Sequence, residues 1–252
     1  MSETGSERQL GNFTAQAAAY SKARPTYPPE LIETIRDHLG VARGDEVVDL
    51  GAGTGIFSRQ LIDAGLRVVA VEPNDAMRRQ AEEVSGVRWT KGTFEETGLD
   101  NASTDWICAA QSFHWAEPAR ALPELARVLR PGGGLTVIWN NRDEENDPHL
   151  ARLRGQIERL VPEFDFDYRT KDWETILTAG GLFRDVVFHE ARHVIRMTRE
   201  SFLELWRSQN MLTVIAGPER MRELSDWVRK DTAARETIDV PYHCVAWTAR
   251  LA

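Results

Sequence analysis

The stretch Val47-Val48-Asp49-Leu50-Gly51-Ala52-Gly53-Thr54-Gly55-Ile56 sets an apolar run against a glycine-rich turn. A buried strand that enters three glycines and then a helix lets a ligand approach the backbone, because a Cβ there would block the turn and hold the ligand away. The spacing is Gly-x-Gly-x-Gly, with Ile56 where a dinucleotide loop carries its third glycine, and no Gly-Lys-Ser/Thr follows. The loop therefore disfavours NAD or FAD and is not a phosphate-cradling P-loop. Seventeen residues after Gly55, Glu72 ends the next apolar run, Val69-Ala70-Val71. A carboxylate at that strand end points into the crevice at the carboxyl edge of a sheet. There it can accept both hydroxyls of a ribose, through bonds worth about 1.5–3 kcal/mol each. Loop and acid together predict a nucleoside-type ligand.

The elements that must hold these residues alternate. Strand candidates are Glu46–Leu50, Arg67–Glu72, Val87–Lys91, Thr104–Ala110, Leu135–Asn140 and Arg184–Glu190, with a final one at Tyr242–Arg250. An amphipathic helix precedes them, with Leu31, Ile32, Ile35 and Leu39 on one face and Gly40 as its stop. Further helices are expected at 57–65, 75–84, 116–130 and 171–179, the third of these ended by Pro131-Gly132-Gly133-Gly134, which turns the chain into the strand at 135. Short apolar strands separated by helices predict an α/β fold, a parallel sheet covered on both faces. No repeat or low-complexity linker divides residues 1–252, so a single domain is expected, with helical inserts at 141–170 and 194–236.

Among 252 residues, 31 Lys and Arg stand against 39 Asp and Glu, a net charge of -8. That balance opposes a nucleic-acid partner, which needs a cationic face for phosphates. A hydrophobic share of 42% with 28% charged residues is ordinary globular composition and opposes disorder. No apolar run reaches the roughly 18–20 residues that span a bilayer. Met1-Ser-Glu-Thr-Gly-Ser-Glu is polar and acidic, unlike a signal or transit peptide. Cys108 and Cys244 each sit in an apolar run and are expected as buried, reduced thiols. The expectation is a cytoplasmic monomer or homodimer with a small-molecule substrate and neither membrane nor nucleic acid as partner.

Asp49 to Gly55, Glu72, Gly92-Thr93-Phe94-Glu95, Ala110-Gln111-Ser112-Phe113-His114-Trp115 and Leu129-Arg130-Pro131-Gly132-Gly133 resemble, in order, the motifs of class I S-adenosylmethionine-dependent methyltransferases. The resemblance covers residues 46–140. It implies S-adenosyl-L-methionine as cofactor and S-adenosyl-L-homocysteine as product. It also implies a doubly wound, Rossmann-like, seven-stranded sheet, mostly parallel with an antiparallel last strand and helical cover insertions. Tyr20, Arg24-Pro25, Tyr27-Pro28, Phe113-His114-Trp115 and Trp139-Asn140 are loosely similar to a small-molecule subgroup that includes trans-aconitate methyltransferase-like proteins. Residue by residue, the resemblance implies that Asp49, Gly51 and Gly53, with Ala52 between them, line the methionine half of the cofactor. Glu72 would hold the ribose hydroxyls, Thr93 and Phe94 would meet the adenine edge, Ala110 would line the cofactor and Gln111 would lie close to the methyl. Residues 13–28 would form an N-terminal lid, with Arg24 toward the methionine carboxylate and Tyr20 over the sulfonium. The inserts at 141–170 and 194–236 would cover the active site.

Methyl transfer from a sulfonium is an in-line displacement, so positioning supplies most of the catalysis. An acceptor that starts protonated needs a base; an ionised carboxylate does not. His114 and Gln111 are the candidate catalytic residues, His114 being the one histidine inside the matched motifs, able to orient an acceptor or take its proton. His38, His149, His189, His193 and His243 lack metal-ligand spacing, so no metal is expected. Tyr27, Trp115, Trp139, Arg142, Trp206, Arg207 and Tyr242 are candidate substrate contacts, with Trp173 beside them: aromatics attract a sulfonium, and arginines anchor a carboxylate. The reading is methyl transfer to a small molecule, with a carboxylate-bearing metabolite favoured. A nucleic-acid methyltransferase is opposed by the charge and by the strand end Ala110-Gln111-Ser112-Phe113, which lacks an Asn/Asp-Pro-Pro-Tyr/Phe run. A cofactor-binding regulatory or assembly protein without turnover stays open, and an NAD-dependent oxidoreductase ranks third.

Overall fold

The computed structural model describes residues 25–81 and 85–252. Tyr20, Arg24 and most of the lid expected at 13–28 lie outside the described residues. Pro29–Leu39 (α1) begins on a proline, whose missing N–H costs nothing in a first turn, and stops at Gly40 with φ 73°. Its Leu31, Ile32, Ile35 and Leu39 are buried, as the spacing predicts. Strands and helices then alternate: β1 Glu46–Leu50, α2 Ile56–Asp63, β2 Arg67–Val71, α3 Asp75–Ala81, β3 Val87–Thr90, β4 Thr104–Ala110, α4 Pro118–Val128 and β5 Leu129–Arg142. Next come α5 Pro148–Leu160, α6 Trp173–Thr178, β6 Phe183–Thr198, α7 Arg199–Arg207, the helical stretch α8 Asn210–Asp231 and β7 Thr237–Leu251. Within α8, Gly217 at φ 71° and ψ 173°, followed by Pro218, breaks the helix in two.

The seven strands form one sheet in the order β3-β2-β1-β4-β5-β7-β6. The pairs β1–β2, β1–β4, β2–β3 and β4–β5 are parallel, and the last strand is antiparallel. The chain builds outward from β1 to β3 and then returns to place β4 on the other side of β1. That reversal leaves a crevice outside the carboxyl ends of β1 and β4, the place where open α/β sheets bind ligands.

Three boundaries differ from expectation. Pro131 to Gly133 do not simply end a helix: α4 stops at Val128, and the chain is already in β5 at Leu129. Thr104 pairs with Leu129 and Trp106 with Gly134, so Asp105 alone stands opposite four residues, 130–133. The surplus is accommodated as a bulge, with Gly132 at φ 83° and the Arg130 guanidinium holding the Asp105 carboxylate and the Ser103 carbonyl. Strand β2 ends at Val71, one residue before Glu72. Strands β6 and β7 run to 16 and 15 residues, longer than their apolar cores suggested, because alternating polar residues continue the pairing.

The described residues fall into two compact units. Thr26–Asn141, Asp167–His193 and His243–Ala252 make the first; Arg142–Phe166 and Val194–Tyr242 make the second. In the first, apolar residues of β1, β2, β4 and β5 pack against α4 and α6 on one face and α1 and α2 on the other. In the second, Leu150, Leu153 and Ile157 of α5 share a core with Phe202 and Trp206 of α7 and Leu224 and Val228 of α8. No helix among the described residues is long and apolar enough to cross a membrane.

The glycines of this frame should respond in opposite senses. A Cβ on Gly133 would lie 2.8 Å from the Asp105 carbonyl oxygen and 3.0 Å from that of Arg130, both backbone atoms, so Gly133→Ala should cost roughly 1–3 kcal/mol. Gly155, inside α5, has no atom of the described residues within 4 Å of its Cβ position beyond its own helix backbone, so Gly155→Ala should stabilise by about 0.5–1 kcal/mol. Urea unfolding of the two variants measures both; equal midpoints would refute the packing assigned to the bulge.

Candidate cofactor and transfer site

The glycine loop is held by contacts that only glycine permits. Gly51 leaves β1 at φ 71°, and a Cβ on it would lie 2.7 Å from Ser112 Cβ. Ser112, just beyond β4, donates from Oγ to the Leu50 carbonyl at 2.8 Å, binding the two strand ends together. The N–H groups of Gly51 and Ala52 both donate to the Val71 carbonyl, at 2.8 and 3.2 Å, which folds the loop over the end of β2. Gly55, at φ 74°, opens α2. Around Gly53 there is room: its chain neighbours aside, no atom of the described residues lies within 4 Å of its Cβ position.

Two carboxyl groups flank this loop. Asp49 is fully buried in β1, with Oδ2 accepting from Ser58 Oγ at 2.6 Å. Its Oδ1 has no hydrogen-bond partner among the described residues. Burial is the main cause that lifts the Asp49 pKa from 3.8 to about 7; the Ser58 hydroxyl opposes the rise and nearby Glu72 adds to it. Glu72 is 8% exposed, and each of its oxygens is anchored by a backbone N–H, Oε2 by Gly53 at 2.9 Å and Oε1 by Asn74 at 2.8 Å. Burial also raises the Glu72 pKa, against those two N–H donors and Arg78. A carboxylate fixed in this way keeps a lone pair on each oxygen for a diol.

After β3, the loop of Thr93 and Phe94 is built from α4. Glu124 accepts from the N–H of Thr97 at 2.9 Å and its hydroxyl at 2.6 Å, while Arg127 binds both Glu124 and the Leu99 carbonyl. The Arg127 guanidinium, first among several donors, lowers the Glu124 pKa to about 2. Thr93 is exposed, and its Oγ1 accepts from the N–H groups of Glu95 and Glu96 at 3.3 and 3.1 Å. That oxygen closes its own turn. Phe94 is buried, its ring edge-on to Phe113 at 5.7 Å.

Beyond β4, Gln111 adopts φ 56°, a left-handed conformation that costs a residue with a Cβ about 1–2 kcal/mol. Its N–H donates to Ile138 and its Nε2 to the Asn140 carbonyl, at 2.9 and 3.0 Å, so side chain and backbone are both tied to β5. His114 lies in the short 3₁₀ turn Phe113–Trp115, its ring 4.8 Å from Trp115 and 5.4 Å from Trp139. Burial, with Arg169 and Lys171 nearby, lowers the His114 pKa to about 3. Around neutral pH His114 is therefore an uncharged hydrogen-bonding group, poorly matched to taking a proton.

The other candidates divide between the units. Trp139 and Trp173 are packed into the core of the first unit, stacked at 5.1 Å with Trp139 wholly buried. Tyr27 is also buried, and Trp115 is 39% exposed. Arg142, Trp206, Arg207 and Tyr242 belong to the second unit. There the Arg142 guanidinium lies 4.0 Å over the Trp206 ring, Arg207 pairs with Glu204 at 2.7 Å, and Tyr242 is buried. Sequence reading gave no role to Ser58, Gln60, Ser112 and Glu124; Ser112 lies inside a quoted motif, but the parts all four play are recognised only once the chain is folded around them. Cys108 and Cys244 are both buried free thiols. Among the described residues no three His, Cys, Asp or Glu side chains cluster as a metal site would need.

Residues 48–137 match the methyltransferase domain family. An uncharacterized methyltransferase of Mycobacterium tuberculosis is 45% identical over 146 residues, 56% of this chain and 57% of that protein. Over residues 48–137 the chain is similar to methyltransferase domains. An uncharacterized methyltransferase-like protein of Schizosaccharomyces pombe is 30% identical over 162 residues, 62% of each chain. The match spans little more than half the length of these curated relatives. A solved structure from Anaeromyxobacter dehalogenans, named by inference as a type II methyltransferase, aligns over 90% of this chain and 97% of its own, with TM-score 0.70 and 26% identity. Haemonchus contortus phosphoethanolamine N-methyltransferase 2, solved with S-adenosyl-L-methionine, shares the fold at TM-score 0.52 and 17% identity, over 94% of this chain and 57% of its own.

The residues present fit S-adenosylmethionine, the ligand bound in the Haemonchus structure. A buried Asp49 oxygen without a partner, an anchored diol-accepting Glu72 and open space at Gly53 are what a cationic nucleoside needs.

Two tests follow from this geometry. A cation beside Asp49 favours its ionised form, so cofactor binding should release a proton below about pH 7. Affinity should rise with pH up to about 7 and then level off, and Asp49→Asn should flatten the profile; calorimetry in buffers of different ionisation enthalpy reads the proton directly. Without ligand the signs oppose. The raised Asp49 pKa makes stability fall as pH rises from 3.8 to about 7, while the lowered His114 pKa makes it fall as pH drops from 6.5 to about 3. In the second test, Gln111→Gly should relieve the left-handed strain and raise stability by up to about 1 kcal/mol while lowering turnover. A variant both more stable and fully active would remove Gln111 from the site.

Proposed function

We propose that this chain transfers the methyl group of S-adenosylmethionine to a small-molecule nucleophile. The observation that carries the reading is Glu72, buried after β2 with both oxygens anchored on backbone N–H groups, one of them from the glycine loop. The cofactor supplies an electrophilic methyl on a sulfonium. Asp49, Gly51 and Gly53 would face its methionine half, Glu72 its ribose, Thr93 and Phe94 its adenine, with Ala110 and Gln111 at the transfer end. The chain's own contribution is alignment: Gln111 is tied twice to β5, and Ser112 fixes the strand end behind it.

The acceptor we favour carries a carboxylate. A His114 whose pKa is about 3 is poorly matched to removing a proton around neutral pH, whereas an acceptor already ionised needs no base.

Glu72→Ala should weaken S-adenosylmethionine binding by about 1.5–3 kcal/mol, the scale of a lost charge-assisted bond, with Glu72→Gln intermediate. Unchanged affinity in a folded variant would falsify the ribose assignment. A mass-spectrometric screen of carboxylic acids, amines, phenols and thiols for a gain of one methyl identifies the acceptor; methylation confined to amines or phenols would overturn the carboxylate reading.

A further inference from the structure

Two side chains on different elements hold the same short stretch of chain. Gln60, in α2, accepts the Tyr27 N–H on Oε1 at 2.9 Å and donates Nε2 to the Tyr27 carbonyl at 2.7 Å. Asn140, in β5, donates from Nδ2 to the Thr26 carbonyl at 2.9 Å. With Nδ2 assigned as donor, Asn140 Oδ1 is the acceptor toward His193 Nε2, 3.0 Å away, and the proton sits on that nitrogen. The backbone carbonyl of the same Asn140 takes Gln111 Nε2. The Tyr27 ring meets Phe57, the second residue of α2, edge-on at 4.9 Å. All these groups lie in the first unit, and Asn140 is buried. A continuous line of contacts therefore runs from the helix that the glycine loop opens, through Tyr27 and Thr26, to Asn140 and Gln111.

We infer that Asn140 and Gln60 are positioning residues acting in series: together they lock the cofactor loop to the transfer loop through Thr26 and Tyr27. Neither needs to touch a reacting atom. Because Thr26 and Tyr27 are adjacent, releasing one end frees the stretch that the other end holds. The two side chains then have one joint effect and not two separate ones. Independent sites would combine differently, since distant and unconnected substitutions add in free energy. The inference rests on the S-adenosylmethionine reading of the site.

The test is calorimetric titration of S-adenosylmethionine into wild type, Gln60→Ala, Asn140→Ala and the double variant, with melting temperatures recorded for all four. Each single variant should bind roughly 3- to 10-fold more weakly, the scale of a lost buried hydrogen bond. The double variant should lose no more than about twofold beyond the weaker single one, even where the melting temperature keeps falling. Single variants that bind as wild type does, or fold-losses that multiply in the double variant, overturn the inference while leaving the cofactor reading intact. A wild-type protein that does not bind S-adenosylmethionine overturns the cofactor reading and the inference with it. Should Asn140→Ala fail to fold, Gln60→Glu carries the test. It keeps the acceptor for the Tyr27 N–H and loses the donor to its carbonyl, and affinity equal to wild type overturns the inference.

Discussion

Gly51 and Ser112 approach more closely than side chains allow. The Ser112 Oγ reaches the Leu50 carbonyl, and a Cβ on Gly51 would meet Ser112 Cβ at 2.7 Å. This contact sits where the strand order reverses, so it closes the seam between the two halves of the sheet. What surrounds it follows. The loop must bend over β2 because its first two N–H groups find the Val71 carbonyl there, and the bend carries the Gly53 N–H to Glu72. On the far side, Gln111 is forced left-handed because Ser112 behind it is already committed to β1. One close approach thus sets both the donor side and the transfer side.

Electrostatics at this seam depend on dehydration more than on pairing. Asp49 and His114 are both pushed by burial toward their neutral forms, in opposite pKa directions. A site that holds an acid poised between its neutral and ionised forms and a neutral imidazole around pH 7 is suited to a ligand that brings its own charge. Glu124 is the counterexample: less buried and directly paired with Arg127, it stays ionised and serves as scaffold for the loop of Thr93 and Phe94.

Much of this was legible in the sequence because backbone demands leave residue-level marks. Glycines at Gly51 and Gly55 report positive φ, and Val-rich runs report strands buried on both faces. The place of Glu72 was legible because it follows the glycine loop at the end of the next strand, on the edge where open α/β sheets hold ligands. What was not legible depends on partners far apart in the chain. Thr26 and Asn140 are 114 residues apart, and Leu50 and Ser112 are 62, with no local pattern to announce either bond. The left-handed Gln111 gave no sign because its residue type argues against that conformation. The stacking of Trp139 on Trp173 was not legible because an aromatic beside a polar strand end is the same in sequence whatever it packs against.

The bulge of β5 has a consequence for how this domain tolerates change. Residues 130–133 hold surplus length opposite Asp105, at the amino end of the strand and away from the glycine loop. From Gly134 onward each residue is in step with β4, and Ile138 meets Ala110 directly before Gln111. Length gained or lost between Arg130 and Gly133 is absorbed there like slack in a cable, and the side-chain alternation downstream is undisturbed. The same change between Gly134 and Asn140 would turn every following side chain to the opposite face. Descendants of this sequence can therefore vary the junction between α4 and β5 without disturbing the strand ends on which the transfer side is built.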